Sequence, residues 1–194
     1  MLCCIGDLVD DVAVYLTSDI AEASDTDVTI RRRRGGSAAN VAVSAAASGA
    51  PSRFIGRVGS DLSGELLVAE IQCEGVDARV QREGRTGSII VLVDGAGERS
   101  MLRDRGAAGE LGPVDASWLE GVSWLHVPAY SLVDPPTSDS TREVISTLRG
   151  TGVPVSIDAS STTIINDYGV DRFLELVASH KPAVLFCNAE ETAV

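Results

Sequence analysis

Aromatic side chains are scarce: three Phe, two Trp and three Tyr make up 4% of the 194 residues. Stacking on a planar ring calls for aromatic faces, and few are on offer here. Lysine is scarcer still, with Lys181 the single one among 16 basic residues. It has no glycine context, so the chain carries no G-x-x-x-x-G-K-[ST] phosphate loop. The four cysteines, Cys3, Cys4, Cys73 and Cys187, form no C-x-x-C pair and have no histidine at metal-ligand spacing, which leaves buried, reduced thiols as the expectation. The two histidines, His126 and His180, lie outside any G-x-S-x-G or H-E-x-x-H pattern and read as structural.

Long hydrophobic runs are also missing. No stretch approaches the ~18 apolar residues of a membrane span, and the N-terminus reaches Asp7 before a signal-like region develops. The expected location is therefore the cytoplasm. Positive charge is in deficit, 16 basic against 28 acidic residues for a net charge of −12, so neither nucleic acid nor a membrane is an expected partner. Twelve of the 16 basic residues fall within residues 1–110, which places any anion site in that half.

What is present is the order of a parallel α/β sheet. Leu2–Ile5, Ser52–Val58, Trp124–Val127, Val153–Ile157 and Ala183–Cys187 read as core strands. Ser37–Ser48, Asp61–Cys73, Ser138–Leu148 and Asp171–Ala178 read as the helices between them. Two stretches break this rhythm with a period of two. Val12–Leu16 and Val28–Arg34 form one, and Val76–Arg82, Ser88–Val93 and Arg99–Leu102 form the other. The last residues, Ala189–Val194, read as one turn of a helix without a cap or a face to bury, as expected where a β-α series continues.

Arg34-Gly35-Gly36-Ser37-Ala38-Ala39-Asn40 is the strongest local signal. Two glycines let the backbone approach a ligand, the following helix points free N–H groups at that place, and Asn40 offers a donor and an acceptor one turn in. The alternative is a tight strand-to-helix turn with a solvated Asn. Asp7, Asp10 and Asp11 follow the first strand, where ligand crevices of parallel sheets open and carboxylates can accept hydroxyl hydrogens. Asp158 ends another predicted strand and either lines the crevice or caps the next turn. Arg31–Arg34 alternate between the two faces of their strand and serve either a ligand or the protection of a sheet edge.

Gly35-Gly36-Ser37-Ala38-Ala39-Asn40-Val41-Ala42, followed by Gly49 and by Gly56-Arg57-Val58-Gly59-Ser60-Asp61 with Gly64, resembles the first signature of the ribokinase-like (PfkB) carbohydrate kinases. Gly6 and Asp11 resemble that family's first strand and substrate-binding Asp, and Asn188-Ala189-Glu190-Glu191 resembles its N-x-x-E motif, so the likeness runs along the whole chain. The resemblance implies a mostly parallel sheet flanked by helices, with a small β lid contributed by residues of about 12–34 and 76–103, all within one incomplete domain over 1–194. It implies an ATP-dependent sugar kinase using Mg²⁺, with a monovalent cation as a further ligand, and a homodimer formed through the lid strands. Asp11, Gly35, Gly36 and Asn40 would bind the sugar. Arg103 resembles the arginine that ketodeoxygluconate kinases of the family use for a carboxylate. Glu191, with Asn188, would order Mg²⁺ through water.

The family's catalytic Asp sits in a G-A-G-D motif, and no G-x-G-D string occurs in these residues. The expectation is thus the sugar-binding portion of a kinase, inactive by itself, with its base beyond Val194. A non-catalytic sugar-binding or regulatory module is the alternative. A neutral pentose or hexose is the first expected substrate, with a keto-acid sugar or a nucleoside behind it.

Overall fold

A computed structural model describes all 194 residues. Its centre is a six-stranded sheet in which every neighbouring pair is parallel. The strands are β1 (Leu2–Ile5), β4 (Ser52–Val58), β5 (Asp77–Arg82), β8 (Trp124–Pro128), β9 (Val155–Asp158) and β10 (Val184–Phe186), in the order β10-β9-β8-β1-β4-β5. Strands this apolar are buried on both faces, as the neighbours Cys3 and Cys4 illustrate. Cys3 joins a core with Leu125, Ile157 and the helices α3 (Tyr130–Val133), α4 (Thr137–Gly150), α5 (Thr162–Tyr168) and α6 (Val170–His180). Cys4 joins a second core with Phe54, Val58, α1 (Ser37–Ala47) and α2 (Leu62–Cys73). The alanines of α1 explain its close seat: Ala38, Ala39 and Ala42 are fully buried, and their small side chains bring the helix backbone near the sheet.

A second sheet of four strands, ordered β3-β2-β6-β7, is made of β2 (Val9–Leu16), β3 (Val28–Gly35), β6 (Thr86–Val93) and β7 (Arg99–Gly106). Two groups fasten it to the first. Asp61 caps α2 by accepting from the Gly64 N–H at 2.9 Å, and it also accepts from the backbone N–H and the hydroxyl of Thr86, the first residue of β6. These bonds, led by the one from the Thr86 hydroxyl, hold the Asp61 carboxyl below its usual range. Arg105, at the end of β7, grips Asp7 with two bonds of 2.6 and 3.0 Å. The joint is tight enough to demand glycine, because a Cβ on Gly36, whose φ is 102°, would lie 2.1 Å from the Asp7 carbonyl oxygen.

Three expectations need correction. Val76–Arg82 does not belong to the lid, since Asp77–Arg82 pairs in parallel with β4 and forms the edge of the six-stranded sheet. An edge strand is half exposed and alternates with period two like a lid strand, so the pattern fits both positions. The lid strand β2 also starts earlier than Val12, at Val9. Finally, Cys3 and Cys4 are buried, and burial pushes the Cys3 thiol up to about 12 and raises Cys4 as well, but Cys73 and Cys187 are exposed; all four are free.

Candidate functional site

Asp7, Asp10 and Asp11 look equivalent in sequence, and the structure separates them by their partners. Asp7 is taken by Arg105, and Asp10 faces Arg32 at 3.5 Å. Asp11 is different: its Oδ1 is buried without any hydrogen-bond partner. Burial raises the Asp11 carboxyl above its ordinary value, against the pull of Arg33 and Arg99. A buried, unpaired acceptor is costly to the fold, and a ligand hydroxyl would satisfy it.

The elements around Asp11 explain this exposure to ligand. In the lid register Asp11 on β2 stands between Arg33 on β3 and Ile89 on β6, and Ile89 in turn pairs with Arg103 on β7. Arg33 does not close on Asp11; its Nη2 donates to the Tyr15 hydroxyl at 3.4 Å. A cavity of about 550 Å³ joins Asp11, Arg32, Arg33, Arg34, Asn40 and Glu70. Asn40 is exposed at its rim, and its Oδ1 accepts from Arg34 Nη1 at 2.5 Å. Gly35 lies against Asp11, where a Cβ would come within 3.0 Å of the Asp11 Cβ. Gly36 starts α1 with no side chain capping the helix, which leaves N–H groups available there. Asp11, Gly35, Gly36 and Asn40 thus form one neighbourhood at the seam of lid and sheet.

The remaining expected residues lie elsewhere. Arg103 stacks over the Tyr130 ring, 5.5 Å from its centre, on the lid face that Asp11 shares. Asp158 lines a different, apolar cavity of about 310 Å³ with Leu2, Val41, Trp124, His126 and Phe186. Its Oδ1 accepts from the Ser160 N–H at 2.6 Å, so it does cap the following turn. In the same cavity wall His126 is held neutral by burial, against the pull of Asp158, and only its Nδ1 is bonded, to Ser156.

Asn188 and Glu191 clasp each other. Both Glu191 carboxylate oxygens accept from Asn188, at 2.9 Å each, and the Glu191 N–H donates to the Asn188 side chain at 2.8 Å. Burial, with the negative charges of Glu191 and Asp158, pushes the Cys187 thiol up. No cluster of three or more His, Cys, Asp or Glu side chains exists, so these residues offer no all-protein metal cage. They fit Mg²⁺ in another way: this ion keeps most of its waters and takes one or two carboxylates beside substrate phosphates, and a fixed, half-buried carboxylate suits such a hydrated ion.

Three contributors escaped sequence reasoning. Arg99 lines a concavity of about 310 Å³ with Asp11, Tyr15 and Arg33, and Tyr130 and Arg105 hold neighbouring positions. The signal for Arg99 was parity, since it shares a strand face with Arg103 four residues on.

A parallel sheet whose carboxyl ends meet a four-stranded lid, with an unsatisfied carboxylate and a glycine-led helix N-terminus between them, defines a lidded α/β protein with a polar cleft at the seam. The pfkB family carbohydrate kinase model matches residues 1–194, and the chain belongs to that family. It is 31% identical over 188 residues to an ATP-dependent ribose-1-phosphate kinase of Halopiger xanaduensis, covering 93% of this chain and 59% of the relative. It is also 31% identical over 153 residues to a fructokinase of Vibrio alginolyticus, covering 75% of this chain and 50% of the relative. The chain thus spans between half and three fifths of these relatives' length. The adenosine kinase of Sinorhizobium meliloti superposes with a TM-score of 0.84 at 24% identity, covering 98% of this chain and 65% of that one, and shares its fold. A sugar kinase of Pyrococcus horikoshii in complex with ATP superposes at 0.73 with 23% identity, covering 93% of this chain and 59% of that one. No helix is long and apolar enough to cross a membrane.

Proposed function

We propose that this chain carries the acceptor-binding part of an ATP-dependent sugar kinase, an enzyme that moves the γ-phosphoryl group of ATP to a sugar hydroxyl. The observation that carries the reading is the buried, unpartnered Oδ1 of Asp11. There a sugar hydroxyl donates its hydrogen, Asn40 supplies a second polar contact, and the N–H groups behind Gly36 orient the ring. The lid excludes water from the acceptor, which prevents transfer to water instead. Glu191, oriented by Asn188, would hold a Mg²⁺ ion through its waters, and that ion would supply charge neutralisation at the phosphates. Asp158 serves the turn that it caps, and the base that deprotonates the acceptor is not among the residues gathered here.

The names of the relatives cover a free sugar and a sugar phosphate, so the choice of acceptor falls to this site's own side chains. The lid face turned away from Asp11 carries Val12, Val14, Ile30, Ile90 and Leu102, of which Ile30 and Leu102 are more than half exposed. This apolar face supports a homodimer through the lids. ATP consumption with Mg²⁺ against a panel of sugars, alongside sugar binding by calorimetry, tests the proposal. Turnover or saturable binding of one sugar, lost in Asp11→Asn, is expected. Binding without turnover would leave a sugar-binding module, and no binding of any sugar would overturn the reading.

A further inference from the structure

Excess acid characterises this chain, 28 acidic against 16 basic residues, so an arginine has no shortage of carboxylates to pair with. Four arginines near the lid do pair: Arg32 with Asp10, Arg34 with Glu70, Arg85 with Asp104 and Arg105 with Asp7. Arg31, Arg33, Arg99 and Arg103 do not, none of them lying within 4.0 Å of a carboxylate. The strand registers put these four on one face of the lid, the face of Asp11. Arg31 lies over the Tyr15 ring and Arg33 donates to the Tyr15 hydroxyl, so Tyr15 holds both above the same floor. Asp11, Arg33 and Arg99 line one concavity.

Protection of a sheet edge accounts for charge on β3 and β7, the outer lid strands, but it asks for no particular face. A neutral sugar would use Asp11 and Asn40 and would leave the guanidinium groups without a counter-charge. Planar guanidinium forks match phosphate and carboxylate oxygens, and such charge-assisted bonds are the strong ones.

We propose that the acceptor is itself an anion, a sugar bearing a phosphate or carboxylate group that Arg33 and Arg99 bind while Asp11 takes a hydroxyl. The inference rests on the acceptor-site reading above and narrows it, replacing the neutral pentose or hexose expected from sequence. Arg31 and Arg103 extend the same positive face and draw the anion in.

The test is calorimetric titration of the 194-residue chain with two matched pairs: ribose against ribose 5-phosphate, and fructose against 2-keto-3-deoxygluconate. The anionic member of one pair is expected to bind at least about tenfold tighter than its neutral partner, with an affinity that falls as salt is raised. Which pair shows the preference separates phosphate from carboxylate. Arg33→Gln and Arg99→Gln, both at exposed positions, are expected to remove the preference, bringing the anion's affinity down to that of its neutral partner. Circular dichroism confirms that they fold, and the salt dependence of the unaltered chain supplies a reading independent of the variants. Neutral sugars binding as tightly as the anions, or a preference that survives both substitutions, would overturn this inference and keep the sugar site. No binding by any of the four compounds would overturn both together.

Discussion

The two sheets of this molecule are built by opposite rules. In the six-stranded sheet Cys3, Cys4, Ile5, Phe54 and Ile55 are fully buried, and both faces are covered by helices around β1 and β4. In the lid most of β3 and β7 is exposed, and one face carries the polar residues Asp11, Arg33, Arg99 and Arg103. One sheet obtains stability from burial, and the other gives up burial to present unsatisfied groups. The fold leaves hydrogen-bonding capacity unused at the seam where the two sheets meet, and the proposed function rests on that place.

This contrast can be broken or sharpened by substitution. The largest effect is expected from Phe54→Ala, which opens a cavity in the parallel sheet's core and should cost about 4 kcal/mol of unfolding free energy in urea titration. Next comes the seam. Asp7→Asn leaves Arg105 without its partner where both side chains are 14% exposed, and a loss of about 3 kcal/mol is expected by the same assay. On the outer lid face Leu102→Ser removes an exposed side chain and should change stability by less than about 0.5 kcal/mol while weakening self-association in sedimentation. A loss there comparable to that of Phe54→Ala would erase the distinction between the sheets.

The smallest effect concerns pH. Burial lowers the His126 pKa below its unfolded value, so the folded state favours neutral imidazole. That contribution is fully present above the unfolded value of about 6.5 and is lost as pH falls through the folded value. Thermal melting of His126→Phe should therefore decline less than that of the unaltered chain as pH falls below about 6.5. His180 is also shifted down by burial and titrates in both proteins, so the difference reports His126.

The central sheet was legible because apolar strands and amphipathic helices carry their own periods, and β1, β4, β8 and β10 fall where the sequence puts them. Of the elements that were not, two are instructive. Thr162–Tyr168 is a helix despite the β-branched run Thr-Thr-Ile-Ile, because Ser161 caps it by accepting from the Thr163 N–H and Ile164 and Ile165 are buried against the sheet. Asp77–Arg82 alternates correctly, but periodicity does not say which sheet a strand joins. The site was half legible. Gly35, Gly36 and Asn40 stand out by spacing and Asp11 by its resemblance, whereas the physical reason that Asp11 and not Asp7 is left unpaired lies in Arg105, 98 positions from Asp7 in the chain. The common face of Arg33 and Arg99 likewise depends on the register of three strands, a long-range property.

The central claim is that Asp11 is kept unsatisfied for a ligand, and the direct measurement is a paired one on Asp11→Asn. Its carboxyl is raised by burial, so the charged form costs stability above the unfolded value of about 3.9, and removing the charge should leave the melting temperature at pH 7 unchanged or higher. Sugar affinity by calorimetry should fall at least about tenfold in the same variant. Unchanged affinity, or a melting temperature that falls along with it, would contradict the account and make Asp11 a structural residue.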